Sequence, residues 1–148
     1  MTGPALRTAE LLLVEDSPTD VIMAREALEQ SGLHHHLHVV SDGVEALRFL
    51  RREGPHAVAP RPDLILVDLN MPRMDGRELL SRLKSDPAFR RIPAIVLTTS
   101  SSESDVTRCY EAHANAYMVK DLDFTRFVER MQALMRFWFE VVQLPGAH

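Results

Sequence analysis

The chain has 148 residues, 45% of them hydrophobic and 26% charged, with a formal charge of −4. This composition suits one soluble globular domain, excludes a disordered chain and argues against nucleic acid as a partner. No apolar run reaches the ~20 residues of a bilayer span, Met1 to Glu10 carry no signal-peptide core, and a single cysteine forms no internal disulfide, so a cytoplasmic protein without membrane contact is expected.

Leu11 to Val14 is a short apolar run that reads as a first strand, ending in Glu15 and Asp16. Ser17 then caps a helix with Pro18 and Asp20 in its first turn, and Ser31-Gly32 closes it. His36 to Val40 alternates polar and apolar residues, which predicts an edge strand. Four histidines lie there (His34, His35, His36, His38), but consecutive side chains diverge and no spaced acid or cysteine completes a metal-ligand set. Asp42 with Glu45 resembles a capping box and opens a second helix, which Gly54-Pro55 ends.

Leu64 to Val67 is the run around which the chain is organised, a strand apolar on both faces that ends abruptly in Asp68. A third helix follows Asp75-Gly76. Ile92 to Leu97 reads as strand four, ending in Thr98-Thr99-Ser100. Ser102 or Ser104 can cap a fourth helix, in which Cys109 reads as a packed small hydrophobe. Ala116 to Val119 is strand five, ending in Lys120, and Asp123 caps a last helix from Phe124 to about Val142.

Strands and helices therefore alternate with short connections, which predicts an α/β fold with a doubly wound parallel sheet. Five strands fit the flavodoxin-like order 2-1-3-4-5. That order brings Glu15, Asp16 and Asp68 together at the carboxyl edge, where ligands bind in such sheets, with Thr98 and Lys120 ending the neighbouring strands. Three crowded carboxylates repel one another, and a hard cation such as Mg²⁺ relieves the repulsion. Asp16 and Asp68 are expected as direct ligands, the backbone carbonyl near Asn70 as a third, and Glu15 as a partner through water. A carboxylate beside Mg²⁺ can attack phosphorus, with Lys120 neutralising the phosphoryl charge and the Thr98 hydroxyl bonding another oxygen.

Val14-Glu15-Asp16-Ser17, Asp68-Leu69-Asn70-Met71-Pro72, Met74-Asp75-Gly76, Leu97-Thr98-Thr99 and Tyr117-Met118-Val119-Lys120 together resemble a response regulator receiver domain, over about residues 9–140. The resemblance implies that Asp68 accepts phosphate from a sensor histidine kinase. It also implies that Glu15 and Asp16 form the acidic metal pair, that Lys120 binds the phosphoryl group, and that Thr98 with Tyr117 forms the switch. The implied output is the face of the fourth helix, fifth strand and fifth helix. The wording Glu15 to Asp20, together with a length too short for an output module, is similar to stand-alone regulators paired with bacterial phytochrome kinases. On this reading residues 1–8 are a flexible N-terminus, 9–144 the receiver and 145–148 a tail.

Two positions depart from the family pattern. Lys120 is followed by Asp121 where the family commonly has proline after a cis bond; a non-proline cis bond costs about 2.5–4 kcal/mol, so a trans peptide is expected. His113 stands where glycine is common, and must take positive φ if the turn is kept. Two other readings compete. A phosphatase of the haloacid dehalogenase type also uses a strand-end aspartate with Mg²⁺, but needs a second aspartate where this chain has Asn70. A degenerate receiver acting only as a binding module is opposed by the intact Glu15, Asp16, Asp68, Thr98 and Lys120.

The end of the last helix carries a separate signal. Met135, Phe137, Trp138, Phe139, Val141, Val142 and Leu144 leave almost no polar face. A helix of roughly 18 residues is about 27 Å long, whereas a five- or six-residue strand spans ~17–20 Å. The last turns are expected to overhang the sheet and to build a homodimer on Phe137, Trp138, Phe139 and Val142.

Overall fold

The computed structural model describes residues 8–145. The expected flexible N-terminus and the C-terminal tail fall outside that range, apart from Thr8 and Pro145. Strands β1 (Ala9–Val14), β2 (His35–Val40), β3 (Leu64–Val67), β4 (Ala94–Thr98) and β5 (Ala116–Val119) alternate with helices α1 (Pro18–Gln30), α2 (Gly43–Arg51), α3 (Gly76–Ser85), α4 (Glu103–Glu111) and α5 (Phe124–Arg136). All neighbouring strands are parallel and the order is β2-β1-β3-β4-β5, as the alternation predicts.

The continuous apolar runs have a simple cause: both faces of the sheet are covered. Leu11, Leu13, Leu64, Leu66, Ile95 and Leu97 face α1 and α5, where Ala24, Leu28, Phe127, Val128 and Met131 complete one core layer. The alternate residues Leu12, Val14, Ile65 and Val67 meet Leu47, Phe49, Leu79 and Leu83 on the other face. Leu80, Val96 and Cys109 extend that second layer beneath α4. Cys109 is fully buried, and burial pushes its thiol pKa up, so it packs as the small hydrophobe expected.

Helix starts follow the capping residues. The side chains of Ser17, Asp42, Asp75, Ser102 and Asp123 each accept a backbone N–H three residues on. Glu45 does not complete a capping box with Asp42 among the contacts seen; its carboxylate pairs with Arg48 and His56 instead. Among the described residues, three non-glycine residues have positive φ: Arg52 at 56°, Arg73 at 63° and His113 at 70°. His113 thus adopts the left-handed conformation where the family pattern has glycine. Strand four starts later than the apolar run suggests, at Ala94, because Pro93 has no N–H to place in a ladder.

The histidine-rich segment does meet a carboxylate, contrary to the sequence reading. His36 Nδ1 and His38 Nε2 each lie 2.9 Å from a different oxygen of Glu10, on the adjacent strand β1. Register explains it: Glu10 is directly opposite His36, so all three side chains share one face. Burial would raise the pKa of Glu10, but the two imidazoles outweigh it and hold the carboxyl lower.

The C-terminus differs most from expectation. Regular helix ends at Arg136 and a wider π-helical turn runs from Phe137 to Val141, with the Val142 N–H donating to the Phe137 carbonyl at 3.0 Å. Trp138 and Phe139 pack back against the α1–α5 core layer rather than overhanging it. Phe137 and Val141 point outward, with 47% and 67% of their surface exposed, and Val142 is half-buried. Of the four residues expected at an interface, only Phe137 is exposed.

Candidate functional site

The β1 and β3 ladders run to the ends of their strands, and that brings the acids together. The Asp68 N–H donates to the Val14 carbonyl at 3.0 Å, and the Glu15 N–H to the Val40 carbonyl at 2.9 Å. Glu15, Asp16 and Asp68 each offer a carboxylate oxygen within 4.8 Å of the other two, the one such three-ligand group among the described residues. Glu15 and Asp68 are buried and Asp16 is exposed, so the group opens to solvent on one side. The Ser17 N–H donates to Glu15 at 3.2 Å and fixes its carboxylate at the start of α1.

A single position supports Asp68 from below. The Gly76 N–H donates to the Leu69 carbonyl at 3.1 Å. A Cβ on Gly76 would run into the Asp68 carbonyl oxygen and the Leu69 Cα. Glycine here lets the start of α3 close directly onto the strand end that carries Asp68.

Burial raises the pKa of Asp68, the nearby Lys120 ammonium opposes the rise, and Glu15 adds to it; the carboxyl ends at about 6. A carboxylate whose pKa is driven up by burial and by a like charge gains most when a cation is added. The donor set is all oxygen, with one open side, and fits a hard divalent ion that keeps several waters; the pocket is a Mg²⁺ site in its chemistry.

Lys120 ends β5, and its N–H donates to the Thr98 carbonyl at 2.6 Å. The Lys120–Asp121 peptide is trans, as the absence of proline predicts. Asp121 takes a local role instead, accepting the Asp123 N–H at 2.8 Å where α5 begins. The ammonium of Lys120 lies close enough to Asp68 to draw its pKa down. Its hydrogen bonds, however, go to Glu15 Oε1 at 2.7 Å and Asp20 Oδ2 at 2.9 Å. Burial alone would lower the Lys120 pKa; these two carboxylates reverse that and hold it high. Asp20 is the residue that sequence reasoning missed, having been assigned only to the positive end of α1. A signal was present: it lies in the first turn of a helix that starts directly after the acidic pair, one turn beyond Asp16.

Thr98 is fully buried at the end of β4, opposite Val119, the last residue of β5. No hydrogen bond joins Thr98 to Tyr117 among the described contacts; Ser100 links them. The Ser100 N–H donates to Thr98 Oγ at 3.4 Å, and the Tyr117 hydroxyl donates to the Ser100 carbonyl at 2.8 Å. Ser100 Oγ also donates to Asp105 at 2.7 Å, and Arg77 pairs with Asp105 at 2.9 Å. Hydrogen bonds thus connect Thr98 and Tyr117, the residues expected to form a switch, through the β4–α4 loop and into α4. Asn70 lies two residues beyond Asp68 on the exposed loop after β3.

Residues 11–132 match the model of the response regulator receiver domain. Over 137 residues, 93% of this chain and 93% of its relative, the sequence is 44% identical to the response regulator Rcp1 of Synechocystis sp.. The fold superposes with a TM-score of 0.89 on the phosphorylated cyanobacterial phytochrome response regulator RcpA, at 41% identity over 95% of this chain and 100% of that one. The Mn²⁺-bound form of Rcp1 superposes with a TM-score of 0.86, at 43% identity over 93% of this chain and 99% of that one.

Proposed function

We propose, from the premise that this chain belongs to the response regulator receiver family, that Asp68 accepts a phosphoryl group from a histidine kinase and that the phosphoryl group then resets the face of α4, β5 and α5. The observation that carries this reading is the constellation at the sheet edge: a buried Asp68 with raised pKa, two further carboxylates, and Lys120 and Thr98 ending the next strands. In the step itself, an Asp68 carboxylate oxygen attacks phosphorus as the N–P bond to the kinase imidazole breaks; the electron pair stays on the ring nitrogen, which takes a proton from solvent, leaving an acyl phosphate and a neutral histidine.

When bound, Mg²⁺ neutralises the carboxylates and the incoming phosphoryl oxygens. Asp16 and Asp68 are the direct ligands in this proposal, with the Asn70 carbonyl as a third and Glu15 acting through water. Lys120 takes up the added charge on the phosphoryl group. The Thr98 hydroxyl turns toward a phosphoryl oxygen and gives up its contact with the Ser100 N–H. That loosens the loop whose carbonyl holds the Tyr117 hydroxyl, so Tyr117 is freed to reposition. The result is a population shift between two arrangements of one face, set by differential contacts.

Structurally similar regulators described as phytochrome or bacteriophytochrome response regulators support a phytochrome-type sensor kinase as the donor. A homodimer through the end of α5 belongs to the same proposal, with exposed Phe137 and Val141 as its anchors and Trp138, Phe139 and Val142 behind them.

Incubation with a small phosphodonor and Mg²⁺ tests the central step. Wild-type protein should take up one labile phosphate, and Asp68→Asn or added chelator should remove the label. Thr98→Ala should keep the label but lose the response of Tyr117. Labelling that ignores the chelator, or catalytic turnover of the donor as a phosphoester substrate, would overturn the receiver reading.

A further inference from the structure

The lysine assigned to the phosphoryl group is already engaged. Its ammonium donates to Glu15 Oε1 at 2.7 Å and to Asp20 Oδ2 at 2.9 Å, and its side chain is only 12% exposed. These are the two polar partners it has among the described contacts, and neither is Asp68. We infer that Asp20 is a positioning residue that parks Lys120 in the resting state, competing with a phosphoryl group on Asp68 for the same ammonium.

The argument is one of differential contact. An ammonium has three donors, and two are spent on carboxylates from β1 and α1. Glu15 belongs to the acid group, so a divalent cation draws on its charge whenever the pocket fills. Asp20 lies outside that group, and its grip on Lys120 is independent of the cation. It is also fixed in place, since the Asp20 N–H donates to Ser17 Oγ in the capped first turn of α1. A negatively charged group on Asp68 must therefore compete with Asp20 for the lysine. An interaction present in one state and weakened in the other biases the equilibrium toward the first. Asp20 thus favours the resting arrangement, and its removal should favour the phosphoryl-engaged one.

This inference rests on the receiver reading, and the experiment separates the two. Beryllofluoride with Mg²⁺, a non-covalent mimic of a phosphoryl group on a carboxylate, can be titrated by amide NMR into wild type, Asp20→Asn, Lys120→Gln and the double variant. Asp20→Asn should bind the mimic about threefold to fivefold more tightly, the scale of one partly exposed ion pair. In the Lys120→Gln background the same Asp20 change should have no effect beyond about twofold. That cycle distinguishes positioning of the lysine from general removal of a negative charge, which would persist without it. Asp20→Glu should restore wild-type affinity. Equal or weaker binding by Asp20→Asn, or the same gain in the Lys120→Gln background, would overturn the role of Asp20. Failure of wild type to bind the mimic at all would overturn the receiver reading itself.

Discussion

Two regions of this molecule gather side chains that ordinary folding keeps apart, and they resolve the conflict differently. At the sheet edge, three carboxylates lie within 4.8 Å of one another. At the end of α5, three aromatics follow in sequence, Phe137, Trp138 and Phe139. The aromatic cluster is largely settled inside the chain: the π-helical turn lets Trp138 and Phe139 rejoin the core, and Phe137 meets the Trp138 ring edge-on at 5.3 Å. The acid cluster has no such internal remedy. Lys120 reaches Glu15 but is shared with Asp20, and Asp68 keeps a pKa near neutrality. Crowding that the fold leaves unrelieved marks a place for an external ion, while crowding that the fold absorbs is mainly architecture.

The sharpest way to break this contrast is to remove an acid. Asp16→Asn should weaken Mg²⁺ binding about 100-fold, the loss expected for a direct carboxylate ligand, while leaving thermal unfolding of the metal-free protein nearly unchanged. Calorimetric titration reads the first and a melting curve the second. The reverse pattern is expected at the tail. Trp138→Ala should lower stability by about 2–3 kcal/mol in urea unfolding, because the side chain packs on the core, and should leave Mg²⁺ affinity intact.

Acidity sharpens the comparison further. The folded-state pKa of Asp68 is raised from 3.8 to about 6, so the folded protein binds this proton more tightly than the unfolded chain does. Its contribution to stability is therefore present below about pH 4 and is lost as pH rises through about 6. In the absence of Mg²⁺, Asp68→Asn should be more stable than wild type by about 1–2 kcal/mol at pH 7.5, an advantage that shrinks toward pH 4. Saturating Mg²⁺ should erase the difference at pH 7.5 by stabilising wild type alone. Denaturant unfolding at the two pH values, with and without Mg²⁺, checks all of it. The smallest effect on folding is expected at the outward-facing residues. Phe137→Ser with Val141→Ser should change stability by no more than about 0.5 kcal/mol per site and yet convert the proposed dimer to monomer in sedimentation. A dimer that survives the pair would locate self-association elsewhere.

Much of this was legible in the residues because it depends on period and order. Apolar runs of four to six residues ending in Asp16, Asp68, Thr98 and Lys120 predict both the parallel sheet and the edge that holds the site. What stayed hidden depends on side-chain direction across long separations. Lys120 and Asp20 are 100 residues apart, and although Asp20 lies one turn beyond Asp16, its position alone does not say that its carboxylate turns to the lysine. Ser100 closes the run Thr98-Thr99-Ser100 without any mark of its role, yet its backbone is the link between Thr98 and Tyr117. The tail was misjudged for another reason. A segment apolar all round has no periodicity to read, so the change from α to π geometry at Phe137 leaves no trace in the pattern.

Gly76 has one further consequence. Because α3 begins in direct backbone contact with the strand end bearing Asp68, Asp68 and the helix start are joined backbone to backbone, like a bolt seated against its housing. No side chain intervenes that could flip between two positions. On the other flank the hydroxyls of Thr98, Ser100 and Tyr117 join β4 to α4 and β5, and the Arg77 side chain of α3 reaches the same group through Asp105. A movement started at Asp68 would meet a tight backbone contact on one side and rotatable hydroxyls on the other. Hydrogen exchange on addition of beryllofluoride should accordingly change most along residues 99–111 and least at Gly76.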